Sequence, residues 1–388
     1  MGKDKLKVEI AETLNELASA LETGRFGASP KIALIGQGSE HGEENALKGA
    51  LEAAKKGIEV YYIGSIDVPE GCGVTKVEAT DAEDGFKKME QLLDDKVVQG
   101  AVAMHYPFPI GVSTVGRSIA PSRGTKFFLA TTTGTTSTDL VEGLVFNAIN
   151  GIATAKACGI ARPKVGILNL NGARQAEIVL KELKEQGYDF DFAETSRADG
   201  GAIMRGNDVL LGSADVMVCD TLTGNVLSKV LTAYTSGGSF EAVGDGYGPG
   251  IGQHYDRLIM IVSRASGYPV IANAIAYAAE LVQGKIMEKV AKEYDAAEKA
   301  GLTSILESKK APKASTEAAA VEAPPHEVCD EQIPGVDVMD LDDAVQAIWQ
   351  AGIYAESGMG CTGPVIRMNV AKKEAAHKIL VEKGYIAD

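Results

Sequence analysis

The chain has few of the features that mark membrane, nucleic-acid-binding or disulfide-stabilised proteins. It has 388 residues, with 38 Lys and Arg against 53 Asp and Glu, so its formal net charge is −15 at pH 7. This surplus of negative charge disfavours nucleic-acid binding, because few cations are available to displace counterions from the phosphates. No apolar run reaches the roughly 18 residues that a membrane-spanning helix needs, and the charged residues 1–6 are not typical of a signal peptide.

Cysteine and tryptophan are also scarce. The five cysteines form no CxxC pair and have no histidine at metal-binding spacing. Their odd number and wide spacing predict reduced thiols in the cytoplasm rather than a disulfide framework or a zinc site. Glycine is abundant, with 44 residues, and hydrophobic residues make up 45% of the chain. This composition is typical of an α/β enzyme with many short turns between strands and helices.

The hydrophobic pattern predicts two runs of alternating strands and helices. After an amphipathic helix over 6–23, the first run has strands at 31–36, 58–64, 100–105 and 126–130 and helices at 45–57 and 82–93. The second run has strands at 164–170, 189–193, 214–220 and 256–262 and helices at 174–187, 226–234 and 272–300. Strand–helix–strand order predicts parallel sheets, so we expect two doubly wound α/β domains, at 1–150 and 151–302, with a cleft between them.

The C-terminal quarter has a different composition. Residues 303–328 are rich in Ala, Pro, Lys and Glu and predict a linker or tether. The segment 329–388 follows, with helices predicted at 340–355 and 371–384 and a strand at 364–369. Its strand must join an existing sheet or form a small lobe, and we expect it to complete the first domain.

Cys361 is the best candidate for chemistry. It lies in Glu356-Ser-Gly-Met-Gly-Cys-Thr-Gly-Pro364, which we interpret as a glycine-rich loop. Backbone N–H groups of Gly360 and Thr362, uncovered by side chains, could polarise a carbonyl that the thiolate attacks. The alternative is a small hydrophobic residue in a turn.

Two segments at predicted strand ends are candidate phosphate sites. The first places hydroxyls and a glycine before a helix that Asp139 and Glu142 would cap. The second follows the strand at 214–220, where Asp220 could act as a base or orient another group. Helix N-termini favour anions, but turn formation and helix capping by Thr223 or Asn225 explain the same residues. The candidates are Thr131, Thr132, Thr133, Gly134, Thr135, Thr136, Thr223, Gly224, Asn225 and Lys229.

Other motifs are weaker. The glycine spacing over 36–42 departs from the dinucleotide-binding pattern, which makes a plain tight turn the better interpretation. The five glycines of 244–252 indicate a surface excursion more than a lid. His105, at a strand end, is a candidate acid or base, although a lone histidine is more often structural. We expect Cys72, Cys158 and Cys219 to be packing residues.

The segment Asp215–Lys229 resembles the D-V-V-V-x-D-G-F-x-G-N-x-x-L-K signature of the phosphate acyltransferases, which are related to phosphotransacetylase. It differs at Thr221-Leu222 and at Ser228. Nearly the whole chain, including Tyr354-Ala-Glu-Ser-Gly-Met-Gly-Cys-Thr-Gly363, is similar to the component C alpha subunits of glycine/sarcosine/betaine reductases. The resemblance implies a phosphotransacetylase-like fold with an interdomain cleft.

The resemblance also implies a function. In that family, component C takes a carboxymethyl group from the selenocysteine of the selenoprotein component A and forms an enzyme-bound acetyl thioester, which inorganic phosphate converts to acetyl phosphate. Cys361 matches the family's acetyl-carrying thiol. A ketoacyl-synthase-like beta subunit is the implied partner, and no metal or nicotinamide cofactor is expected. Two alternatives stay open. The chain could be a coenzyme-A-dependent phosphotransacetylase-like enzyme with no essential cysteine, or a non-catalytic scaffold subunit of the reductase complex.

Overall fold

The computed structural model describes residues 29–198, 200–310, 322–336, 340–360 and 363–386. The helix predicted over 6–23 lies outside these ranges. Within them, twelve strands form one large sheet. Their bounds are β1 Lys31–Ile35, β2 Glu59–Gly64, β3 Val74–Glu78, β4 Gly100–Ala103, β5 Val112–Ile119, β6 Lys126–Thr135, β7 Lys164–Leu168, β8 Asp191–Phe192, β9 Ile203–Met204, β10 Val216–Val218, β11 Gly248–Ile251 and β12 Ile259–Ile261.

The large sheet consists of two parallel groups. Its strand order is β3-β2-β1-β4-β12-β11-β5-β6-β10-β7-β8, and β9 also pairs with β7. The strands from β3 to β12 are parallel, and so are those from β6 to β8. Strands β11 and β5 run antiparallel between the two groups. This arrangement confirms the predicted α/β class, and we call the two parallel groups the first and second halves of the body.

Helices cover the large sheet and connect its strands. Their bounds are α1 Glu43–Ala54, α2 Ala82–Asp94, α3 Leu140–Ala157, α4 Ala173–Glu185, α5 Gly206–Leu211, α6 Thr221–Ala233, α7 Tyr268–Gln283, α8 Ile286–Lys299 and α9 Leu302–Lys310. As predicted, Asp139 caps α3, since its carboxylate accepts a hydrogen bond of 2.8 Å from Glu142 N. The helix predicted over 272–300 is two helices, separated at Lys285, whose φ of 53° is left-handed.

Several predicted loops are strands. The hydroxyl-rich segment from Thr131 belongs to β6, which continues to Thr135 and pairs with β5. Threonine is β-branched and suits a pleated strand, which explains the difference. The glycine-rich segment at 244–252 contains β11, which is buried between β12 and β5 rather than exposed as a surface excursion. A side chain at Gly250 would collide with the ring of Phe108, so close packing explains that glycine.

The predicted linker is structured at both ends. Residues from Leu302 to Lys310 form α9, which buries Ile305 and Leu306, while Lys309 lies 3.3 Å from a carboxylate oxygen of Glu182. At the other end, the rings of His326 and Tyr354 are 5.0 Å apart. Residues 311–321 lie outside the described ranges. The linker prediction therefore extended too far at its beginning, because the polar composition concealed a short amphipathic helix.

The C-terminal segment forms a second, smaller sheet. Strands β13 Glu331–Pro334, β14 Ala355–Gly360 and β15 Gly363–Met368 pair antiparallel in the order β13-β15-β14. Helices α10 Leu341–Gln350 and α11 Lys373–Glu382 pack on it around a separate hydrophobic core that includes Ile348, Ile366 and Leu380. We call this unit the tail lobe. The glycine-rich loop predicted from Glu356 is thus a strand up to Gly360, and β15 confirms the predicted strand.

The strand pairing differs from our expectation that the C-terminal segment 329–388 completes the first domain. Strand β12, which lies in the segment assigned to the second domain, pairs parallel with β4 in the first half. The three strands of the tail lobe pair with one another and not with the large sheet. The limits assigned to the domains stay predictions. None of the helices in the described ranges is both long enough and apolar enough to cross a membrane.

Candidate active site

The two predicted phosphate segments lie side by side. Strand β10 pairs parallel with β6, so the start of α6 lies against the end of β6. The Thr221 hydroxyl donates a hydrogen bond of 2.6 Å to Gly134 O, and the Asn225 amide donates one of 3.1 Å to Thr132 O. Gly224 contacts the Thr131 carbonyl so closely that any side chain at Gly224 would collide with it. The structure therefore brings together the two segments that sequence reasoning singled out.

These segments form one wall of a cleft of about 520 Å³ between the two halves of the body. The opposite wall comes from the segments that follow β4 and β12, at the carboxyl ends of those strands, which is where open α/β sheets bind ligands. A volume of this size is within the usual range of small-molecule sites. The cleft is lined by Glu40, Met104, His105, Tyr106, Pro107, Phe108, Thr133, Gly134, Asn225, Lys229, Tyr247, Ile261, Val262, Ser263 and Arg264.

Most of the predicted hydroxyl donors point away from the cleft. Thr131 is buried and donates to Thr114 O at 2.7 Å, and buried Thr132 donates to Tyr247 O at 2.7 Å. Thr136 is also buried and donates to the side chain of Asn147 at 2.9 Å. Thr135 is exposed but does not line the cleft.

Only Thr133 and Gly134 of this segment line the cleft. Strict alternation along β6 does not explain the division, because it would place Thr131 and Thr133 on one face; the register of β6 against β5 shifts between Ser113 and Val115, opposite this segment.

Asp220 is a helix cap. Its carboxylate accepts hydrogen bonds from Thr223 N at 2.9 Å and from the Thr223 hydroxyl at 2.6 Å. Capping is thus performed by Asp220 itself, not by Thr223 or Asn225 as the alternative interpretation had it. Asp220, Thr223 and Gly224 do not line the cleft. They hold the first turn of α6 in place, so that Asn225 and Lys229, one turn apart on that helix, reach the cleft.

Two cations lie at the cleft. The ammonium group of Lys229 is 3.5 Å from the Ser263 hydroxyl and 3.8 Å from a carboxylate oxygen of Glu241. Arg264 is exposed, and within the described ranges its guanidinium makes no hydrogen bond or ion pair. In a chain of net charge −15, two cations at one cleft make it a candidate anion site, although Glu40 also lines it.

Sequence reasoning missed Ser263 and Arg264. They directly follow β12, and the rule that ligands bind at the carboxyl ends of strands could have found them had it been applied to the strand predicted at 256–262. His105 was a candidate and does line the cleft, at the end of β4, where it is exposed.

Cys361 and Thr362 lie outside the described residues. The strands on either side of them are described, and Gly360, the last residue of β14, is opposite Gly363, the first residue of β15. The backbone of Gly360 is thus at the end of an antiparallel ladder. The roles assigned to Gly360, Cys361 and Thr362 stay predictions.

The tail lobe contacts the body beside the second half. The Gln175 amide in α4 donates a hydrogen bond of 2.9 Å to Asp340, and Arg174 faces the backbone of Gly335. Helix α4 begins just after β7, the neighbour of β10, so this contact lies at the same edge of the sheet as the cleft. If the C-terminal segment had completed the first domain, the tail lobe would contact the first half of the body instead.

The other cysteines are poor nucleophiles where they are buried. Burial raises the pKa of the Cys219 thiol well above its usual range, and its sulfur lies 3.3 Å from Thr131 O. Burial, with the charge of Glu280, raises the pKa of the Cys158 thiol to about 12. Both therefore stay protonated at neutral pH, as expected of packing residues. By exposure Cys158 is half-buried, like Cys72 and Cys329, and only Cys219 of the four described cysteines is fully buried.

Comparison with known proteins gives the family. The family model described as fatty acid synthesis protein matches residues 31–367. The chain is 53% identical over 391 residues to the glycine/sarcosine/betaine reductase complex component C subunit alpha of Peptoclostridium acidaminophilum, covering 98% of this chain and 99% of that protein. It is 32% identical to a phosphate acyltransferase of Campylobacter concisus (strain 13826), over 57% of this chain and 70% of that protein.

Among solved structures, a branched-chain phosphotransacylase from Enterococcus faecalis V583 superposes with a TM-score of 0.46 and 19% identity, covering 65% of this chain and 99% of that chain. The match to the reductase subunit extends over almost the full length of both proteins, and the family model spans most of the body and part of the tail lobe. The chain therefore belongs to the fatty acid synthesis protein family and, within it, to the component C alpha subunits of glycine/sarcosine/betaine reductase complexes.

Proposed function

We propose that this chain makes acetyl phosphate from inorganic phosphate and an acetyl thioester carried on Cys361, as the last step of glycine, sarcosine or betaine reduction. Its relatives support an acyl-phosphate-related role and an acyltransferase activity. The observation that carries the finer proposal is the cleft, where Thr133, Gly134, Asn225, Lys229 and Arg264 meet.

These groups have the chemistry that phosphate binding requires. The ammonium of Lys229 and the guanidinium of Arg264 offset the charge of a phosphate dianion, and a guanidinium matches phosphate oxygens with paired donors. Asn225 uses one amide N–H for Thr132 O, which leaves its second N–H for a ligand. Phosphate held there would be oriented as a nucleophile, and orientation accounts for much of the rate of such a transfer.

The reaction balances without another reactant. A phosphate oxygen attacks the thioester carbon, a C–O bond forms, and the C–S bond breaks to release the Cys361 thiolate. The proton of the hydrogen phosphate passes to the sulfur, so the products are acetyl phosphate and free thiol. A thiolate is a good leaving group because the pKa of a thiol is far below that of an alcohol. His105, exposed at the cleft, is a candidate to carry that proton.

The contact of the tail lobe supports this assignment. Gln175 and Asp340 join the lobe to the edge of the sheet where the cleft lies. Helix α4 follows β7 and α6 follows β10, and β7 and β10 are neighbours in the sheet, so both helices begin at that edge. The lobe whose sequence includes Cys361 is thereby attached to the body at the edge where phosphate would bind.

In the proposed complex, the two-carbon unit comes from the selenoprotein component A, and a ketoacyl-synthase-like beta subunit is the partner. The relative in Peptoclostridium acidaminophilum is itself described as a subunit of a reductase complex, which supports membership in such an assembly.

The test compares two cysteines of the C-terminal segment. Full-length protein is incubated with acetyl phosphate, and tryptic peptides are measured by mass spectrometry, with hydroxylamine treatment to cleave thioesters. We expect a hydroxylamine-sensitive acetyl adduct at Cys361 and none at Cys329. We also expect that Cys361→Ser abolishes arsenate-dependent hydrolysis of acetyl phosphate, while the control Cys329→Ser retains it.

The alternatives give different results. A coenzyme-A-dependent enzyme would form acetyl phosphate from acetyl-coenzyme A at an undiminished rate in Cys361→Ser. A scaffold subunit would show neither an adduct nor arsenate-dependent hydrolysis in the unmodified protein, even with the beta subunit present. Either outcome would reject the proposed mechanism.

A further inference from the structure

The cleft has an apolar wall, and the proposed phosphate site does not use it. The cleft-lining residues of the segment after β4 are mostly apolar, whereas the phosphate donors proposed above come largely from β6, α6 and the segment after β12. We infer that Phe108 forms the end of an acyl pocket and limits the acyl group to a short chain. This inference rests on the proposed function.

Phe108 is held in place from several sides. Gly250 in β11 lies directly against the ring, since any side chain there would collide with it. The ring of Tyr106 lies 5.2 Å away and that of Tyr255 5.8 Å away, both in edge-to-face geometry. Such pairs add to the energy of burial and favour one ring orientation.

The segment that carries Phe108 is also fixed. The Tyr106 hydroxyl donates a hydrogen bond of 2.6 Å to Glu90, and Arg257 contacts the same carboxylate at 3.1 Å. Phe108 N donates to Tyr106 O at 3.0 Å, which closes a tight turn around Pro107. A wall supported in this way cannot move aside cheaply to admit a longer ligand, because close-packed side chains relax only partly.

The position of the two walls orients the acyl group. Asn225 and Lys229 lie on the second half of the body, and Phe108 lies on the first. In the inferred pocket, a thioester carbonyl that meets phosphate at Asn225 directs its alkyl end toward the apolar side of the cleft, where Met104 and Phe108 lie. An acetyl methyl is the shortest alkyl end, and each added methylene approaches the Phe108 ring.

The experiment measures selectivity between acyl phosphates. Arsenate-dependent hydrolysis of acetyl, propionyl and butyryl phosphate is followed with full-length protein, and kcat/KM is compared for each. One methylene changes selectivity in an apolar pocket by roughly 10-fold or more. We expect Phe108→Ala to raise the butyryl-to-acetyl ratio of kcat/KM by at least roughly that factor, and Phe108→Leu to raise it by less.

The matched control is Phe86→Ala. Phe86 is also half-buried, and its ring lies 6.4 Å from that of Tyr106, but it does not line the cleft. We expect the ratio to be unchanged in this variant. If Phe108→Ala does not fold, Phe108→Leu decides the question by the same ratio.

The failures of the two proposals are distinguishable. A folded Phe108 variant that hydrolyses acetyl phosphate with the unmodified ratio would overturn the acyl pocket and leave the proposed function intact. A variant in which only the KM for phosphate or arsenate changes would also overturn the acyl pocket alone. Unmodified protein that does not act on acetyl phosphate would overturn both.

Discussion

Asp220 and Asn225 begin the same helix but have separable roles. The Asp220 carboxylate satisfies the backbone of the first turn of α6, and Asn225 faces the cleft. Both residues belong to the segment whose sequence indicated either phosphate binding or helix capping. The structure assigns capping to Asp220, which leaves Asn225 free to test the phosphate interpretation.

We predict that Asn225→Ala raises the KM for phosphate roughly 10-fold or more, since a hydrogen bond to a charged group is worth about 1.5–3 kcal/mol. Its free energy of unfolding should fall by about 0.5–1.5 kcal/mol, because Asn225 also donates a hydrogen bond to Thr132 O. Asp220→Ala is the comparison and should lose about 0.5–2 kcal/mol of stability, the usual cost of a lost cap. Phosphate-dependent kinetics and urea unfolding of both variants check this. An unchanged KM in Asn225→Ala would contradict the phosphate site.

At the level of single residues, sequence reasoning identified some of the residues that line the cleft and missed others, for a physical reason. Thr133, Gly134, Asn225 and Lys229 follow strands with clear apolar runs, so their location at strand ends was readable. Which threonines face the cleft depends on the register of β6 against β5, which is a long-range property. Arg264 was missed because it follows β12, which lies in the segment assigned to the second domain but pairs with β4 in the first half, and this pairing is also a long-range property.

Helix α5 depends on one buried carboxylate. Asp208 accepts hydrogen bonds from Arg205 N at 2.9 Å, Ser196 N at 2.7 Å and the Thr195 hydroxyl at 2.7 Å. Burial raises the pKa of Asp208, but these hydrogen bonds outweigh burial and lower it to about 2. The carboxylate thus ties the start of α5 to the chain segment that precedes β9.

This geometry predicts a pH dependence. The folded pKa lies below the ordinary value of 3.8, so ionised Asp208 stabilises the fold above about pH 4, and this contribution is lost as the pH falls toward about 2. Asp208→Asn should therefore be about 2 kcal/mol less stable than the unmodified protein at pH 7. The difference should shrink between pH 5 and pH 2, as measured by urea unfolding.

The control is Asp256→Asn, at an exposed aspartate. It should cost little at any of these pH values, because an exposed carboxylate gains little from folding. A stability difference for Asp208→Asn that is constant with pH would show that the carboxylate charge is not what stabilises α5.

Two of the strands that sequence reasoning did not find, β5 and β11, have an unusual composition. The pattern of β5, Val-Ser-Thr-Val-Gly-Arg-Ser-Ile, mixes polar and apolar residues without alternation, although nearly all of it is buried. Strand β11 is Gly-Pro-Gly-Ile, and glycine and proline normally indicate a turn. Both strands lie between the two halves, where neighbouring backbones leave little room for side chains. Tertiary packing overrides local preference at such positions.

At the level of the whole molecule, the tail lobe and the body have separate hydrophobic cores. The tail lobe has its own sheet and its own apolar cluster, while the body is built on the large sheet. A unit with its own core can unfold without the rest. Between the two, the described residues show the hydrogen bond from Gln175 to Asp340 and the packing of Arg174 against Gly335, and the tail lobe contributes no described residue to the core of the body.

We predict two calorimetric transitions, one for each unit. Ile348→Ala removes a fully buried side chain of the tail lobe, and Ile149→Ala removes one of the body. Each substitution should cost about 2–5 kcal/mol in its own unit and lower only that unit's transition temperature. A single transition that both variants shift would show that lobe and body unfold together.

The antiparallel pair β11–β5 has a consequence for how the body can be divided. The chain passes from the first half to the second between β4 and β6 and returns between β10 and β12, and in each passage it contributes one strand of that pair. A cut near residue 150 would separate β5 from β11 and β4 from β12, and would expose unpaired backbone on both fragments. Unpaired strand edges pair with other chains. We therefore expect the two halves to be inherited, expressed and degraded together as one unit, although they resemble two independent domains.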